Sequence, residues 1–128
     1  MTPRQIALIE KADRALEAAR ANLDRGDGET AVNRAYYATY YAATAALLGE
    51  GESPKTHSGT HRRSAHLFIA TGRVPQEVGR TLEDAFRIRQ RSDYEALGVT
   101  DLRAAADLLA DAERFVAAVR AVAEEEAG

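Results

Sequence analysis

Apolar residues recur along most of this chain at spacings of three and four, and no segment shows the strict alternation of a half-buried strand. The pattern predicts an all-α protein. Thr2-Pro3-Arg4-Gln5 reads as a capping box with proline at the first helical position, and Ile6, Ile9, Leu16 and Leu23 continue on one face, so a first helix is expected over residues 3–25. Gly26-Asp27-Gly28 supplies a stop and then an N-cap at Asp27. The second helix, residues 29–49, carries Ala31, Ala35, Ala38, Ala42, Ala45 and Ala46 as a small-residue stripe, with Val32, Tyr36, Ala43 and Leu47 on the flank beside it. A helix apolar over most of its circumference must lie inside a bundle or against a second subunit.

After the loop Gly49–Pro54, Thr56 or His57 opens a short third helix that runs to about Ala70 and stops at Gly72. Pro75 begins a fourth that reaches Tyr94, and Gly98 followed by Thr100 marks its stop and the next N-cap. The last helix is expected over residues 101–124, with Leu102, Ala105, Leu109, Ala112, Val116 and Val119 inward and Glu124-Glu125-Glu126 as a frayed, solvated end. Four long helices and one short one make an up-and-down bundle, and 128 residues suit one domain.

One position breaks the apolar stripe of the fourth helix. Val78, Leu82, Ala85, Phe86 and Arg89 share a face, with Asp93 four residues further on. A guanidinium cannot shed its charge, so a partner, a wet cleft or a ligand must offset its desolvation. Arg89 is therefore the first site candidate.

The net charge of -3 conceals a basic middle. Lys and Arg stand against Asp and Glu as 6 to 8 over residues 1–54, 8 to 3 over 55–91, and 3 to 9 over 92–128. Such a region serves phosphate-bearing partners, or simply faces the acidic helices. Cysteine is absent, which excludes disulfides and thiolate chemistry, and no apolar run approaches the roughly 20 residues of a membrane span. Met1-Thr2-Pro3-Arg4-Gln5 lacks the character of a signal peptide, so a cytoplasmic location is expected.

Further candidates lie on the second and third helices. Arg34 lines up with Tyr41, with Tyr37 beside them; the arginine suits a phosphate clamp and the tyrosines a stacked base, or else the arginine pairs with a carboxylate and the rings fill core. His57 and His61 are four apart, but a stable metal site needs more ligands and His66 lies half a turn away, so no metal is expected. His57 caps or packs near the helix start, His61 sits on the core rim, and a cleft histidine can carry a proton. No glycine-rich phosphate loop is present, and no cofactor is expected.

Asn33-Arg34-Ala35-Tyr36-Tyr37-Ala38, Thr56-His57-Ser58-Gly59 and Arg89-Gln90-Arg91-Ser92-Asp93-Tyr94, in that order, resemble the HEPN-domain family, nearest to its small single-domain prokaryotic subgroup. The resemblance covers about residues 10–120. It implies a helical bundle, commonly homodimeric. Many members are metal-independent endoribonucleases of toxin–antitoxin systems, with an arginine followed four to six residues later by a histidine and a composite site across the dimer. Arg89 matches that arginine, but Asp93 and Tyr94 stand where the histidine would be. Other members are partners of a minimal nucleotidyltransferase, some modified on a tyrosine near the position of Tyr94.

The resemblance thus implies an RNA- or nucleotide-binding component of a nucleotidyltransferase-linked or toxin–antitoxin module. Arg89 and Arg34 would contact phosphate, Asp93 would orient Arg89, and Tyr37, Tyr41 and Tyr94 would stack or donate hydroxyls. The alternatives are an endoribonuclease in which His57 or Tyr94 replaces the missing histidine, and a structural homodimer with a buried Arg89–Asp93 pair.

Overall fold

The computed structural model describes residues 1–94 and 101–127, with the side chains of Asp93 and Tyr94 left out. The expected stop and cap at Gly98 and Thr100 lie outside the described residues. Helices α1 (Pro3–Asp24), α2 (Gly28–Gly49), α5 (Thr81–Tyr94) and α6 (Leu102–Ala127) are long; α3 (His57–Ser64) and α4 (Gln76–Gly79) are short. No strand occurs among the described residues. The chain folds as an all-α bundle in which α2 packs on α1, α3, α5 and α6.

Local chemistry fixes the starts. The Thr2 hydroxyl accepts from the Gln5 amide at 3.2 Å while Gln5 Oε1 accepts from the Thr2 amide at 2.9 Å, closing the expected capping box. Asp27 Oδ1 accepts from the Thr30 amide at 3.0 Å and opens α2. Thr56 Oγ1 accepts from the Gly59 amide at 2.9 Å, which sets the first turn of α3 and with it the direction of His57.

The alanine stripe of α2 is buried as expected, and α1 meets it with Ile9, Ala12, Ala15 and Ala19. Small residues on both sides let the two backbones approach, and the neighbouring larger side chains of Leu47, Phe115 and Leu109 fill the space beyond. Ile6, expected inward, is instead 42 % exposed, because the buried face of α1 runs through Gln5 and Ile9. Gln5 donates its Nε2 to the Ala45 carbonyl of α2 at 2.9 Å, so its burial carries a hydrogen bond. Leu102 is likewise 46 % exposed at the first turn of α6, whose inward face starts at Ala105 and adds Leu108, Phe115, Val122 and Ala123 to the expected set.

Three further expectations are corrected. The third helix changes to a π-helical segment over Ala65–Ile69, where the Ala70 amide donates to the Ala65 carbonyl and the widened turn carries Phe68 into the core. The helix expected from Pro75 to Tyr94 is divided at Arg80 into α4 and α5. Gly79 ends α4 where it lies against Ile69: a Cβ there would stand 2.5 Å from the Ile69 side chain. Finally, α6 stays helical to Ala127, and Glu126 packs against Gly49 at the end of α2 instead of fraying into solvent. Burial, with Glu50 adding to it, raises the Glu126 carboxyl to about 7.

Candidate functional site

Two pairs of aromatic side chains four residues apart face each other between α2 and α3. Tyr36 and Tyr40 stand on α2, His57 and His61 on α3. The His57 ring stacks on Tyr40 at 4.5 Å with an interplanar angle of 15°. Tyr36 is fully buried, and its hydroxyl lies 2.6 Å from His57 Nδ1 and 3.1 Å from His61 Nε2. Phe86 of α5 closes the cluster, edge-on to His61 at 4.9 Å and 5.4 Å from Tyr36.

Arg89 lies one helical turn beyond Phe86. Its guanidinium sits 5.1 Å from the Tyr36 ring centre and 5.5 Å from those of Tyr37 and Phe86, and its Nη1 donates to the Tyr37 hydroxyl at 3.2 Å. A cation over these electron-rich faces is partly compensated for the water it has lost. Tyr37 is shared, because Arg34 also lies over its ring at 5.2 Å while donating Nε and Nη2 to Asn33 Oδ1 at 3.1 and 2.9 Å. The line continues through Tyr41, 5.8 Å from Tyr37, to Lys11 of α1, whose ammonium stands 4.6 Å from the Tyr41 ring.

The structure therefore brings together Arg89, Tyr37, Arg34, Tyr41 and His57 of the sequence candidates. Asp93 and Tyr94 have side chains outside the described residues. Sequence reasoning missed Tyr36 as the hub, Tyr40 as the stacking platform, His61 as a hydrogen-bonding member and Lys11 as a third cation. The signal was there in part: the Tyr36/Tyr40 and His57/His61 spacings each define one helical face, but the helix wheel does not say which two faces meet.

Burial sets the electrostatics. It pushes the Tyr36 phenol well above its ordinary range against the opposing pull of Arg89, so the hydroxyl keeps its proton. His57 is pushed down by burial and then by the Arg89 charge; His61 is pushed down by burial and then by His57, with Glu83 opposing. Both imidazoles are thus held toward the neutral form beside a fixed guanidinium. His61 also lines a cleft of about 640 Å³ between α3 and α5, whose walls include Arg62, Ala65, Ile69, Phe86 and Arg87. Among the described residues no group of three or more His, Asp or Glu is placed to hold a metal ion, and no helix is long and apolar enough to cross a membrane.

The chain is an all-α bundle with cations laid over tyrosines and paired imidazoles behind them, and comparison gives its family. The HEPN domain profile matches residues 6–122, so the chain belongs to the HEPN family. It is 43 % identical over 94 residues to a UPF0332 protein of Gloeobacter violaceus, covering 73 % of this chain and 75 % of that one. Two proteins of Methanocaldococcus jannaschii named "Putative toxin" are also similar. One is 37 % identical over 89 residues, covering 70 % of this chain and 60 % of that protein. The other is 33 % identical over 110 residues, covering 86 % and 81 %.

Proposed function

We propose that this protein is the RNA- or nucleotide-binding component of a toxin–antitoxin or nucleotidyltransferase-linked module, working as a homodimer in the cytoplasm. The observation that carries the reading is the Tyr37 ring contacted by the guanidiniums of both Arg34 and Arg89. Both guanidiniums lie against aromatic faces, Arg34 further held by Asn33 Oδ1 and Arg89 by the Tyr37 hydroxyl, and a pair of arginines fixed side by side in this way suits the recognition of a phosphate. Tyr37 and Tyr41 offer ring faces to a base, and Lys11 extends the cationic track. The toxin names of two relatives support a role of this type.

Binding of a fluorescent single-stranded RNA over a range of salt concentration tests it. Three phosphate contacts, Arg34, Arg89 and Lys11, predict a log–log slope of about -2.1, falling to about -1.4 in Arg34→Ala or Arg89→Ala. A slope unchanged by both substitutions would remove the two arginines from the interface.

One observation favours a second reading, metal-independent RNA cleavage. His57 is half-buried with its ring 6.1 Å from Tyr37, whose hydroxyl Arg89 holds, and burial and the Arg89 charge favour its neutral form, so it can take the place of the motif histidine that this chain lacks. Cleavage of mixed RNA in EDTA that disappears in His57→Gln supports this reading; undiminished cleavage removes His57 from the chemistry.

A further inference from the structure

The Tyr36 hydroxyl joins two imidazoles. A phenol has one proton to donate, yet this hydroxyl is within reach of two ring nitrogens, at 2.6 Å and 3.1 Å. It can donate to one imidazole only, so the other contact must be an imidazole N–H donating to the phenol oxygen. With both histidines neutral, two arrangements satisfy the geometry. In the first, His57 Nδ1–H donates to Tyr36 and Tyr36 donates to His61 Nε2, which leaves His57 Nε2 as an open acceptor. In the second, His61 Nε2–H donates to Tyr36, Tyr36 donates to His57 Nδ1, and His57 holds its proton on Nε2.

The first arrangement becomes the second when protons move along the two existing hydrogen bonds while one proton is taken up at His57 Nε2 and one is released from His61 Nδ1, with every heavy atom in place. A proton taken up at His57 Nε2, followed by a shift of the Nδ1 proton to Tyr36 and of the Tyr36 proton to His61, leaves the charge on His61. The two positions differ in the charges they face. An imidazolium at His57 faces the Arg89 guanidinium, whereas at His61 it has the Glu83 carboxylate as its opposing charge and the α3/α5 cleft beside it. Among the described residues, the other charged or titratable groups facing the unit are Tyr37 and Tyr40 of α2 and, along the cleft, Arg62 of α3 and Arg87 of α5.

We propose that His57, Tyr36 and His61 form one proton-transfer unit in which the buried Tyr36 hydroxyl passes a proton between the imidazoles, His57 serving the face that carries Arg89 and His61 holding the charge on the cleft side. The proposal rests on the reading of the Arg89 face as a phosphodiester site. In RNA cleavage His57 Nε2 takes the proton of the ribose 2′-hydroxyl while that oxygen forms its bond to phosphorus. The bond from phosphorus to the 5′-oxygen breaks, and the unit returns the same proton to that oxygen. The products are a 2′,3′-cyclic phosphate and a 5′-hydroxyl, with no other reactant consumed. His57 is the residue that reaches substrate; Tyr36 and His61 are positioning residues that act through it.

The test is a ring-¹⁵N NMR titration of the two histidines in the full-length protein, wild type against Tyr36→Phe, with metal-free RNA cleavage followed on the same samples. Tyr36→Phe removes one oxygen and keeps the ring contacts; His61→Gln provides a second variant. In the wild type the two imidazoles are expected to take up a first proton as a pair, with the second uptake displaced by at least one pH unit, and their tautomers to be correlated. In Tyr36→Phe they titrate independently. Cleavage is expected to fall on the order of 10-fold or more in Tyr36→Phe and His61→Gln, with the acid limb of the pH profile moved. Independent titration in the wild type overturns the relay, and cleavage unaffected by both variants overturns its part in the reaction. Linked titration together with absent RNA binding upholds the relay and sinks the phosphodiester reading alone, so the two failures are told apart.

Discussion

The seam between α1 and α2 and the cluster where α2 meets α3 and α5 are built on opposite principles, although α2 serves both. The seam is dry and made of small residues: Ala12, Ala15 and Ala19 on α1, and Ala38, Ala42 and Ala45 on α2, all at most a few per cent exposed. Its stability comes from close packing, and nothing in it needs a particular proton or charge. The cluster instead holds a phenol, two imidazoles and a guanidinium among aromatic rings. Burying such groups costs free energy unless each finds a partner, and apolar residues of the same shape would stabilise the fold as well or better. The seam is explained by folding alone, and the cluster is not.

This contrast can be broken by substitution. The largest effect is expected in the apolar half: Leu47→Ala, at a fully buried position, should cost about 2–5 kcal/mol in chemical denaturation and leave RNA affinity unchanged wherever the variant is folded. A drop in affinity with the fold intact would mean that the two halves are not separable. Thr56→Ala, which removes the cap of α3, is expected to cost about 1 kcal/mol, yet to weaken any His57-dependent activity far more than that loss of stability. An activity loss no larger than the stability change would deny that this cap aims His57.

The smallest effect concerns a carboxyl outside both regions. Glu126 is raised to about 7, first by burial and then by Glu50, while Glu50 is held low, first by its pairing with Arg73. A raised carboxyl contributes stability that is complete below its ordinary value and lost as pH rises to about 7. Glu50 acts in the opposite sense, its contribution being lost only as pH falls below the ordinary carboxylate range. Denaturation midpoints should therefore decline between about pH 5 and 7, and Glu126→Gln should flatten that decline. Because Glu126 is only partly buried, the gain above pH 7 is expected to stay under about 1 kcal/mol. An unaltered slope would place the titration elsewhere.

Much of this architecture can be read from the chain because its determinants are local. The Thr2/Gln5 box, the Asp27 and Thr56 caps and the alanine stripe of α2 act within one turn or one face, and they appear where the pattern predicts. The misreadings occur where a distant contact decides. Ile6 and Leu102 are apolar at a periodic position but lie outside what their helices press against. The division at Arg80 follows Gly79 meeting Ile69, and the burial of Glu126 depends on the end of α2, eighty residues or so earlier in the chain.

The site divides in the same way. Arg89 is conspicuous as a charge in an apolar stripe, and Arg34, Tyr37, Tyr41 and His57 stand out by type and spacing. Tyr36 does not, because a buried tyrosine on a bundle helix looks like core until the helix carrying His57 and His61 is laid across it. Lys11 joins the track only through the pairing of α1 with α2.

Whether Arg89 binds phosphate or only holds the bundle together is decided by Arg89→Ala, measured for folding and for RNA affinity on the same sample. A folded protein with unchanged helicity is expected, with an affinity lowered about tenfold or more, as for the loss of a charge-assisted contact to phosphate. A variant that unfolds or dissociates, or one that stays folded and binds RNA as the wild type does, would make Arg89 a structural residue and contradict its phosphate role.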